Sequence, residues 1–216
     1  MGKQRIGQPL AVPAGWRWIG ERGVRVTTGD TTLARYMMLL SKNLPDVEDI
    51  IPADDSLLLV LRRAAGISPE LRAALVEPLS GSRGVSNGTR HEVVVDYGGM
   101  AGPDLGALAK QAGMSEAAYI DRHAATEYTV AFLGFQPGFP YLSGLPRALR
   151  AARRASPRQR VAAGSVAIGG IYTGIYPADG PGGWHIIGRT AAALFDPQRE
   201  APALLMPGDR VRFVPA

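Results

Sequence analysis

The sequence has no cysteine, three histidines and no hydrophobic run long enough to cross a membrane. Without cysteine the chain has no disulfide, thiolate metal site, iron–sulfur cluster or cysteine nucleophile. Three histidines are too few for a multi-histidine metal centre, so we predict no metal site. The longest aliphatic run, residues 57–61, is far shorter than the roughly 20 residues that span a bilayer, and no apolar signal segment follows Met1. We therefore expect a soluble, cytoplasmic protein with no membrane partner.

The composition is that of an ordinary globular protein. Hydrophobic residues make up 46% and charged residues 20% of the 216 residues, which excludes wholesale disorder. The net charge is +5, and six arginines fall between residues 147 and 160. This cluster is either a phosphate or nucleic-acid patch or a solvated loop or interface rim. Because no aromatic residues alternate with these arginines to stack on bases, we predict no nucleic-acid partner.

The first half of the chain is typical of a small α+β domain. We predict a flexible arm over residues 1–15 and an α+β domain over 16–88, with a strand in 16–26, a hairpin from 47–51 and 56–61, and 91–95 as a possible closing strand. Five apolar residues at helical spacing, ended by Pro45, predict one helix: Leu33, Tyr36, Met37, Leu40 and Leu44. Ser68 and Pro69 predict the start of a second helix.

The second half, residues 89–216, has a different pattern. One more helix is predicted from Asp104 to about His123, and the chain from Tyr128 onward consists of short β-like runs cut by glycine and proline. This pattern favours a β-barrel. Residues 132–146 combine aromatics with glycine and proline, so we expect a shaped loop that either plugs a barrel end or forms a ligand wall.

A second glycine-dense region, residues 163–190, is a candidate for anion binding. Glycine lets the backbone approach a ligand and direct its N–H groups at an anion, although the same glycines would also serve barrel corners and bulges. Neither a Walker-type nor a Rossmann motif is present, so a nucleotide site would be of another kind. We expect the aromatic and glycine-rich turns to converge on one anion-accepting pocket.

Four polar side chains are candidates for chemistry from the sequence. Ser165 lacks the Gly-x-Ser-x-Gly context of a nucleophile elbow, and no partner histidine can be assigned to it. His123 either stabilises a helix end as a cation or takes part in acid–base chemistry. Arg158 and Arg189 could each bind a carboxylate or phosphate through two parallel hydrogen bonds.

An ordered series of motifs makes the sequence resemble the 5-oxoprolinase B-subunit family, also described as allophanate hydrolase subunit 1 or as the sporulation kinase inhibitor family. The series runs densely from residue 97 to 214. Its members are Tyr97-Gly98-Gly99, Gly102-Pro103-Asp104-Leu105, His123, Gly134-Phe135-Gln136-Pro137-Gly138-Phe139-Pro140-Tyr141-Leu142, Pro157-Arg158, Ala163-Gly164-Ser165-Val166, Gly174-Ile175-Tyr176-Pro177, Pro181-Gly182-Gly183-Trp184, Leu194-Phe195-Asp196-Pro197 and Pro207-Gly208-Asp209-Arg210-Val211-Arg212-Phe213.

The resemblance implies a fold, an activity and partners. It implies an α+β N-terminal domain followed by a mainly-β, cyclophilin-like barrel. The chain would be one component of a hydrolase, a 5-oxoprolinase, whose C subunit is a second barrel protein and whose A subunit is a third partner. The two barrel proteins would use ATP with Mg²⁺ to activate 5-oxoproline, a small-molecule substrate, for ring opening to glutamate.

On this basis we name candidate site residues. His123 and Arg158 are the candidate catalytic groups. The candidate substrate- or nucleotide-binding residues are Phe135, Pro137, Gly138, Tyr141, Gly164, Ser165, Tyr176, Gly182, Gly183, Trp184 and Arg189.

Two other functions remain open at this point. The chain could bind and inhibit a sensor histidine kinase, or it could form half of a carboxyltransferase acting on urea-like or allophanate substrates with carboxybiotin. The sequence also departs from the usual family pattern at Tyr172, Ala162 and Ala124, where the family usually has Gln, Pro and Ser. The change at Tyr172 bears most on the substrate, because a phenol replaces an amide that both donates and accepts hydrogen bonds.

Overall fold

The computed structural model describes residues 15–63, 66–79 and 88–216. The chain divides into two compact units, with the division between residues 85 and 86. The predicted arm over residues 1–15 lies outside the described residues except for Gly15. Within the predicted α+β domain over residues 16–88, residues 64–65 and 80–87 also lie outside them.

The first unit is an antiparallel sheet with two helices. The sheet has the strand order β1-β2-β4-β3. Its elements are β1 (Trp16–Ile19), β2 (Gly23–Thr27), a 3-10 turn (Gly29–Thr31), α1 (Thr32–Lys42), β3 (Val47–Pro52), β4 (Ser56–Leu61) and α2 (Pro69–Val76). The predicted hairpin of β3 and β4 and both predicted helices are confirmed, whereas the single strand expected in residues 16–26 is a hairpin of two strands.

Local chemistry accounts for the helix ends in this unit. The Ser68 hydroxyl accepts a hydrogen bond from the backbone N–H of Leu71, and Pro69 occupies the first helical position of α2. Helix α1 stops before Pro45, with Asn43 in the left-handed conformation at its C-cap. The core is formed by Tyr36 and Leu39 of α1, by Leu71, Ala74 and Leu75 of α2, and by alternate residues of the strands.

The second unit is a closed β-barrel with helices and a separate two-stranded ribbon. Its elements are β5 (Arg90–Tyr97), α3 (Leu105–Gln111), α4 (Glu116–Ala124), β6 (Glu127–Leu133), β7 (Pro140–Ser143), a 3-10 turn (Arg147–Leu149), β8 (Arg158–Val161), β9 (Ser165–Gly169), β10 (Tyr172–Ile175), β11 (Gly180–Gly182), β12 (His185–Arg189) and β13 (Arg210–Pro215). The barrel closes in the order β10-β7-β6-β13-β5-β12-β9, while β8 pairs with β11 alone. The predicted succession of an α+β domain and a mainly-β barrel is confirmed.

The barrel interior is filled by alternate residues of its strands. Val95, Val166 and Ile187 are fully buried there. Successive side chains of a strand point to opposite faces, so the residues beside them lie on the outer surface. On β5 and β9 these outward residues are Asp96 and Ser165, and a register shift between Ile186 and Gly188 in β12 places Arg189 opposite both of them, on the same face.

Two local predictions in this unit are wrong. The helix expected from Asp104 to His123 is two helices, because Gly113 adopts a positive φ of 69° and the Ser115 hydroxyl caps a new helix at Ala118 N–H. Residues 91–95 belong to β5 of the barrel and do not close the first sheet.

The stretch 132–146, expected as a loop, is partly strand. Its first part ends β6 and its later part forms β7, so that only the residues between these two strands form a hairpin loop. None of the helices in the described part of the chain combines the length and the apolar composition needed to span a bilayer.

Candidate functional site

Two separate recesses lie on the second unit, where the sequence predicted a single pocket. The first, here called the aromatic pocket, has a volume of about 180 Å³ and is lined by Phe135, Phe139, Tyr141, Arg153, Arg154, Pro157, Tyr176, Gly182, Gly183 and Trp184. The second, here called the basic cleft, has a volume of about 670 Å³ and is lined by Asp96, Met100, Ala101, Pro103, Arg158, Arg160, Val161, Ala162, Ser165, Ile186, Arg189, Thr190 and Ala191.

The walls of the aromatic pocket are rings packed edge to face. The Phe139 ring centroid lies 5.4 Å from that of Trp184 and 5.1 Å from that of Tyr176. Tyr141 lies 5.5 Å from Trp184 and also contacts Tyr172, the residue that departs from the family pattern. Such offset and perpendicular arrangements are the favoured geometry of aromatic pairs. The rings therefore form a rigid apolar wall.

Phe135 extends this wall at the tip of the hairpin loop between β6 and β7. It is 60% exposed and has a positive φ of 68°, a conformation that is costly for a residue with a side chain. Its ring makes perpendicular contacts with Phe139 and Tyr176. The loop thus holds an aromatic ring at the rim of the pocket.

Two glycines make room for these rings. A Cβ atom at Gly169 would overlap the Trp184 indole, and one at Gly182 would overlap the Tyr176 phenol. By contrast, a Cβ at Gly183 would lie 3.7 Å from Pro157, an ordinary contact distance. The lack of a side chain at Gly169 and Gly182 therefore lets the aromatic rings pack. The sequence had predicted instead that glycines in this region direct backbone N–H groups at an anion.

The aromatic pocket has one exposed cation at its wall. The Arg153 guanidinium carbon lies 5.9 Å from the centroid of the Trp184 ring, within the range of cation–π attraction. Among the described residues, Arg153 has no carboxylate within ion-pair distance. Burial is the main cause that raises the pKa of both Tyr141 and Tyr176, so both hydroxyls stay protonated. The pocket therefore offers flat apolar walls, neutral hydroxyls, the exposed guanidinium of Arg153 and a second guanidinium, Arg154, that is paired with Asp104.

A buried carboxylate lies between the two recesses. Asp104, at the start of α3, accepts hydrogen bonds from Arg158 Nη1 at 2.9 Å and Arg158 Nη2 at 2.8 Å, and from Arg154 Nη1 at 3.3 Å. It also accepts one from the backbone N–H of Ile186 at 2.7 Å. Arg154 lines the aromatic pocket and Arg158 lines the basic cleft. Asp104 thereby joins the walls of both.

These contacts decide the charge of Asp104. Burial by itself raises the pKa of a carboxyl group, but here the hydrogen bonds from Arg158 and Ile186 and the charges of Arg158 and Arg154 outweigh it and lower the pKa. Asp104 is thus ionised and neutralises much of the charge of Arg158. The two parallel hydrogen bonds predicted for Arg158 are made to Asp104 within the protein, so a ligand anion in the basic cleft would meet only the remaining N–H groups of this guanidinium.

His123 lies in the barrel core and contacts neither recess. Its ring is fully buried and stacks on Phe213 at a centroid distance of 4.7 Å. Burial lowers the pKa of His123 to about 3, so the imidazole is neutral. Both interpretations from the sequence, a cationic helix cap and a catalytic acid or base, are therefore corrected: the side chain is neutral and without access to substrate.

The hydrogen bonds of His123 identify its tautomer. Thr173 Oγ1 donates its one proton to the carbonyl of Ala167, so it must accept from His123 Nε2–H, which lies 3.1 Å away. His123 Nδ1 then accepts from the Tyr97 hydroxyl at 2.7 Å, and burial raises the pKa of Tyr97. His123 is thus a satisfied polar group that links α4 to β5 and β10.

The structure divides the predicted binding residues into three sets. Six line the aromatic pocket: Phe135, Tyr141, Tyr176, Gly182, Gly183 and Trp184. Arg158, Ser165 and Arg189 line the basic cleft. Pro137, Gly138 and Gly164 line neither. Gly138 and Gly164 both have positive φ and shape turns, and a Cβ at either would contact neighbouring chain too closely.

The sequence reasoning missed Arg153, Asp96 and the role of Asp104. Arg153 was one of six clustered arginines, and no sequence signal separates the one beside an aromatic ring from those paired with carboxylates. Asp104 was expected only as the residue where a helix begins, whereas its side chain makes no cap hydrogen bond and pairs with the arginines.

Comparisons with known proteins agree with this fold. The family described as "Carboxyltransferase domain, subdomain C and D" matches residues 22–205. The 5-oxoprolinase B subunit of Escherichia coli O157:H7 is 46% identical over 174 residues, 80% of each protein. The 5-oxoprolinase B subunit of Bacillus subtilis (strain 168) is 50% identical over 123 residues, 57% of this chain and 51% of that protein.

Solved structures show the same architecture. The crystal structure of TTHA0988 superposes with a TM-score of 0.73 at 38% identity, covering 90% of this chain; the chain spans 40% of that protein. The K. lactis urea amidolyase superposes with a TM-score of 0.69 over 96% of this chain and 16% of its own length. At 20% identity, this second match shows a shared fold alone.

Proposed function

The chain belongs to the carboxyltransferase domain, subdomain C and D family and to the family of 5-oxoprolinase B subunits, and from this membership we propose that it binds 5-oxoproline and activates it for ring opening to glutamate. As a B subunit it is a component of an enzyme complex.

The aromatic pocket is the proposed substrate site, and the position of Arg153 over Trp184 is the observation that carries the proposal. 5-Oxoproline is a small, nearly flat lactam with one carboxylate. Flat rings accept the lactam ring, and an exposed guanidinium without an internal carboxylate partner among the described residues accepts the substrate carboxylate. The neutral hydroxyls of Tyr141 and Tyr176 can donate to the lactam oxygen.

The proposed reaction overcomes the poor electrophilicity of an amide. The γ-phosphoryl group of ATP is transferred to the lactam oxygen, and ADP leaves. Water adds to the activated carbon, the ring C–N bond breaks as the nitrogen takes up a proton, and the resulting acyl phosphate loses phosphate to a second water. Positively charged and hydrogen-bond donating groups favour such a transfer by stabilising the charge on the moving phosphoryl group.

ATP enters this scheme as a co-substrate together with Mg²⁺. The described residues contain no group of three or more His, Cys, Asp or Glu side chains arranged to hold a metal ion. This fits a Mg²⁺ ion that arrives on the nucleotide, since such ions are held by phosphates, water and only one or two protein carboxylates. Mg²⁺ would neutralise part of the negative charge of the phosphates.

The partners follow from the family name and are part of the proposal. We place the chain in the cytoplasm, in a complex with the C subunit of 5-oxoprolinase, and we assign the completion of ring opening to the A subunit. The chain by itself then lacks turnover, because the partner proteins complete its substrate site.

Reconstitution tests this function. The chain is co-expressed with the two partner proteins, and glutamate and ADP are measured after addition of 5-oxoproline, ATP and Mg²⁺. We expect equal amounts of both products, and none when any one of the three proteins is omitted. Absence of glutamate with all three present and folded would overturn the proposal.

Carboxyl-group transfer is a second candidate, favoured by the description of the matching family. In that case the pocket would hold a urea-like acceptor and the same three proteins would leave 5-oxoproline intact. Incorporation of labelled bicarbonate into urea by the chain with a biotin-dependent partner, without glutamate formation, would select this function.

A further inference from the structure

Three polar side chains form a row across adjacent strands on the outer face of the barrel. Arg189 of β12 lies directly opposite Ser165 of β9 and directly opposite Asp96 of β5. The residues beside Asp96 and Ser165 in sequence, Val95 and Val166, are buried in the barrel core. Because strand side chains alternate between faces, the row points outward, and all three members line the basic cleft.

Among the described residues, Arg189 is the cation of the cleft that forms no ion pair within 4 Å; its charge adds to the hydrogen bonds from Ala163 and Arg160 that lower the pKa of Asp179. Arg158 is held by Asp104, and Arg160 forms a bond of 2.7 Å to Asp179. Arg189 donates through Nε to the carbonyl of Ala163 at 3.2 Å. Within the described part of the chain, no carboxylate oxygen lies within 4 Å of its guanidinium. The bond through Nε orients the side chain and leaves its two terminal amino groups for a ligand.

The other two members of the row complement this cation. Ser165, which is 5% exposed, supplies a hydroxyl in the lining of the cleft from the strand position opposite Arg189. Asp96 supplies an exposed carboxylate on its other side, too far away to form an ion pair with it. A guanidinium and a hydroxyl bind phosphate oxygens, whereas a carboxylate repels them unless a divalent cation lies between.

We propose that the basic cleft binds a metal-bound polyphosphate, with Arg189 and Ser165 contacting phosphate oxygens and Asp96 contacting the Mg²⁺ ion. A row of carboxylate, guanidinium and hydroxyl matches the alternation of metal and phosphate in such a ligand. This inference rests on the proposed function in that it names where the phosphates of the co-substrate bind. The aromatic pocket lies across the wall formed by Arg154, Asp104 and Arg158.

Calorimetric titration of the full chain tests this site without any turnover. The probe is inorganic tripolyphosphate, titrated once with excess Mg²⁺ and once with a chelator. We expect binding of the Mg²⁺ complex that Arg189→Ala weakens about tenfold or more and Ser165→Ala weakens less. Arg147→Ala, which removes an exposed arginine outside both recesses, is the matched control and should leave the affinity within about twofold.

Asp96→Asn distinguishes binding at this site from a general electrostatic attraction of polyanions to the protein. Removing the carboxylate should weaken binding of the Mg²⁺ complex and at the same time strengthen binding of metal-free tripolyphosphate, because a repelling charge is lost. The proposal is overturned if the chain does not bind the Mg²⁺ complex, if Arg147→Ala weakens it as much as Arg189→Ala, or if Asp96→Asn shifts both affinities in the same direction.

The result is independent of the substrate assignment. Arg153→Ala removes the cation of the aromatic pocket and should leave Mg²⁺–tripolyphosphate binding unchanged. Failure of the unmodified chain with its partners to form glutamate, while tripolyphosphate binding is intact, would count against the proposed function of the pocket only. Normal glutamate formation in Arg189→Ala, with tripolyphosphate affinity also unchanged, would count against the cleft only.

Discussion

Asp104 binds Arg158 through two parallel hydrogen bonds of 2.8 and 2.9 Å, and this pair joins the start of α3 to β8 across 54 positions of sequence. Asp104 is 7% exposed, so the pair is largely removed from water. Arg158 therefore positions the wall between the two recesses and is not a free ligand-binding cation.

Arg158→Ala is expected to lower the free energy of unfolding by about 1–3 kcal/mol, because it leaves a buried carboxylate short of two hydrogen bonds. Arg160→Ala, on the same strand, removes an exposed pair with Asp179 and should cost less than about 1 kcal/mol. Urea denaturation of both variants measures the difference. Equal stabilities would show that Arg158 is not structural.

The pair with Asp104 also predicts a pH dependence. The pKa of Asp104 is lower in the folded protein than in the unfolded chain, so its ionised form stabilises the fold above the ordinary aspartate pKa, about 3.9. This contribution is lost as pH falls through the folded pKa. Asp104→Asn should therefore be much less stable than wild type at pH 7 and approach it in acid. A constant difference between pH 7 and pH 3 would contradict the assignment.

His123 should resist protonation throughout the physiological range. Its pKa of about 3 in the folded state lies below the ordinary value near 6.5, so the unfolded chain takes up a proton that the folded protein does not. The stability due to neutral His123 is full above about pH 6.5 and falls as pH decreases toward 3.

Nuclear magnetic resonance titration checks this directly. The His123 ring signals should keep the neutral Nε2–H pattern down to about pH 4. The slope of stability against pH between 6.5 and 4 should be smaller in His123→Gln than in wild type. A titration of this ring near pH 6 in the folded protein would show that water reaches it.

Arg153→Ala is expected to raise the KM for 5-oxoproline about 10- to 100-fold, since it removes the charge that faces the substrate carboxylate. The side chain is exposed, so the melting temperature should not change. Arg147→Ala is the control from the same arginine cluster and should leave the KM within about twofold. A similar rise in both variants would indicate general electrostatic attraction in place of a specific contact.

Gly169→Ala and Gly183→Ala form a matched pair around Trp184. The first places a methyl group where it overlaps atoms of the Trp184 indole, so it should lower stability by about 1–3 kcal/mol. Because the ring must move, the tryptophan emission should shift as well. The second meets only Pro157 at an ordinary distance and should cost less than about 0.5 kcal/mol. Thermal unfolding and fluorescence of both variants give the comparison, and equal losses would contradict it.

Local sequence features predicted the secondary structure where neighbouring residues decide it. The helix starting at Ser68-Pro69 and the hairpin of β3 and β4 were recognised because caps and turn residues act within a few positions. The break at Gly113 was missed, because the apolar pattern continues through it while the positive φ of Gly113 and the Ser115 cap separate α3 from α4.

Contacts between residues that are far apart in the sequence determine the features that local patterns did not predict. The place of residues 91–95 in the barrel follows from pairing with β13, which comes from the far end of the chain. The neutral state of His123 follows from the rings of Tyr128 and Phe213 that surround it. No local pattern carries this information, because a lone histidine at a helix end looks the same whether water or a hydrophobic core lies beyond it.

The sequence by itself determined the two-part architecture, the absence of thiol chemistry and the residue types of the site, because composition, periodicity and ordered motifs act along the chain. Only the tertiary structure decided that those residues form two recesses, that Asp104 pairs with Arg158, and that Arg153 and Arg189 form no ion pair with any described carboxylate. The physical reason is that the charge available at a site depends on which carboxylates the fold brings within hydrogen-bond distance, and those partners come from distant parts of the chain.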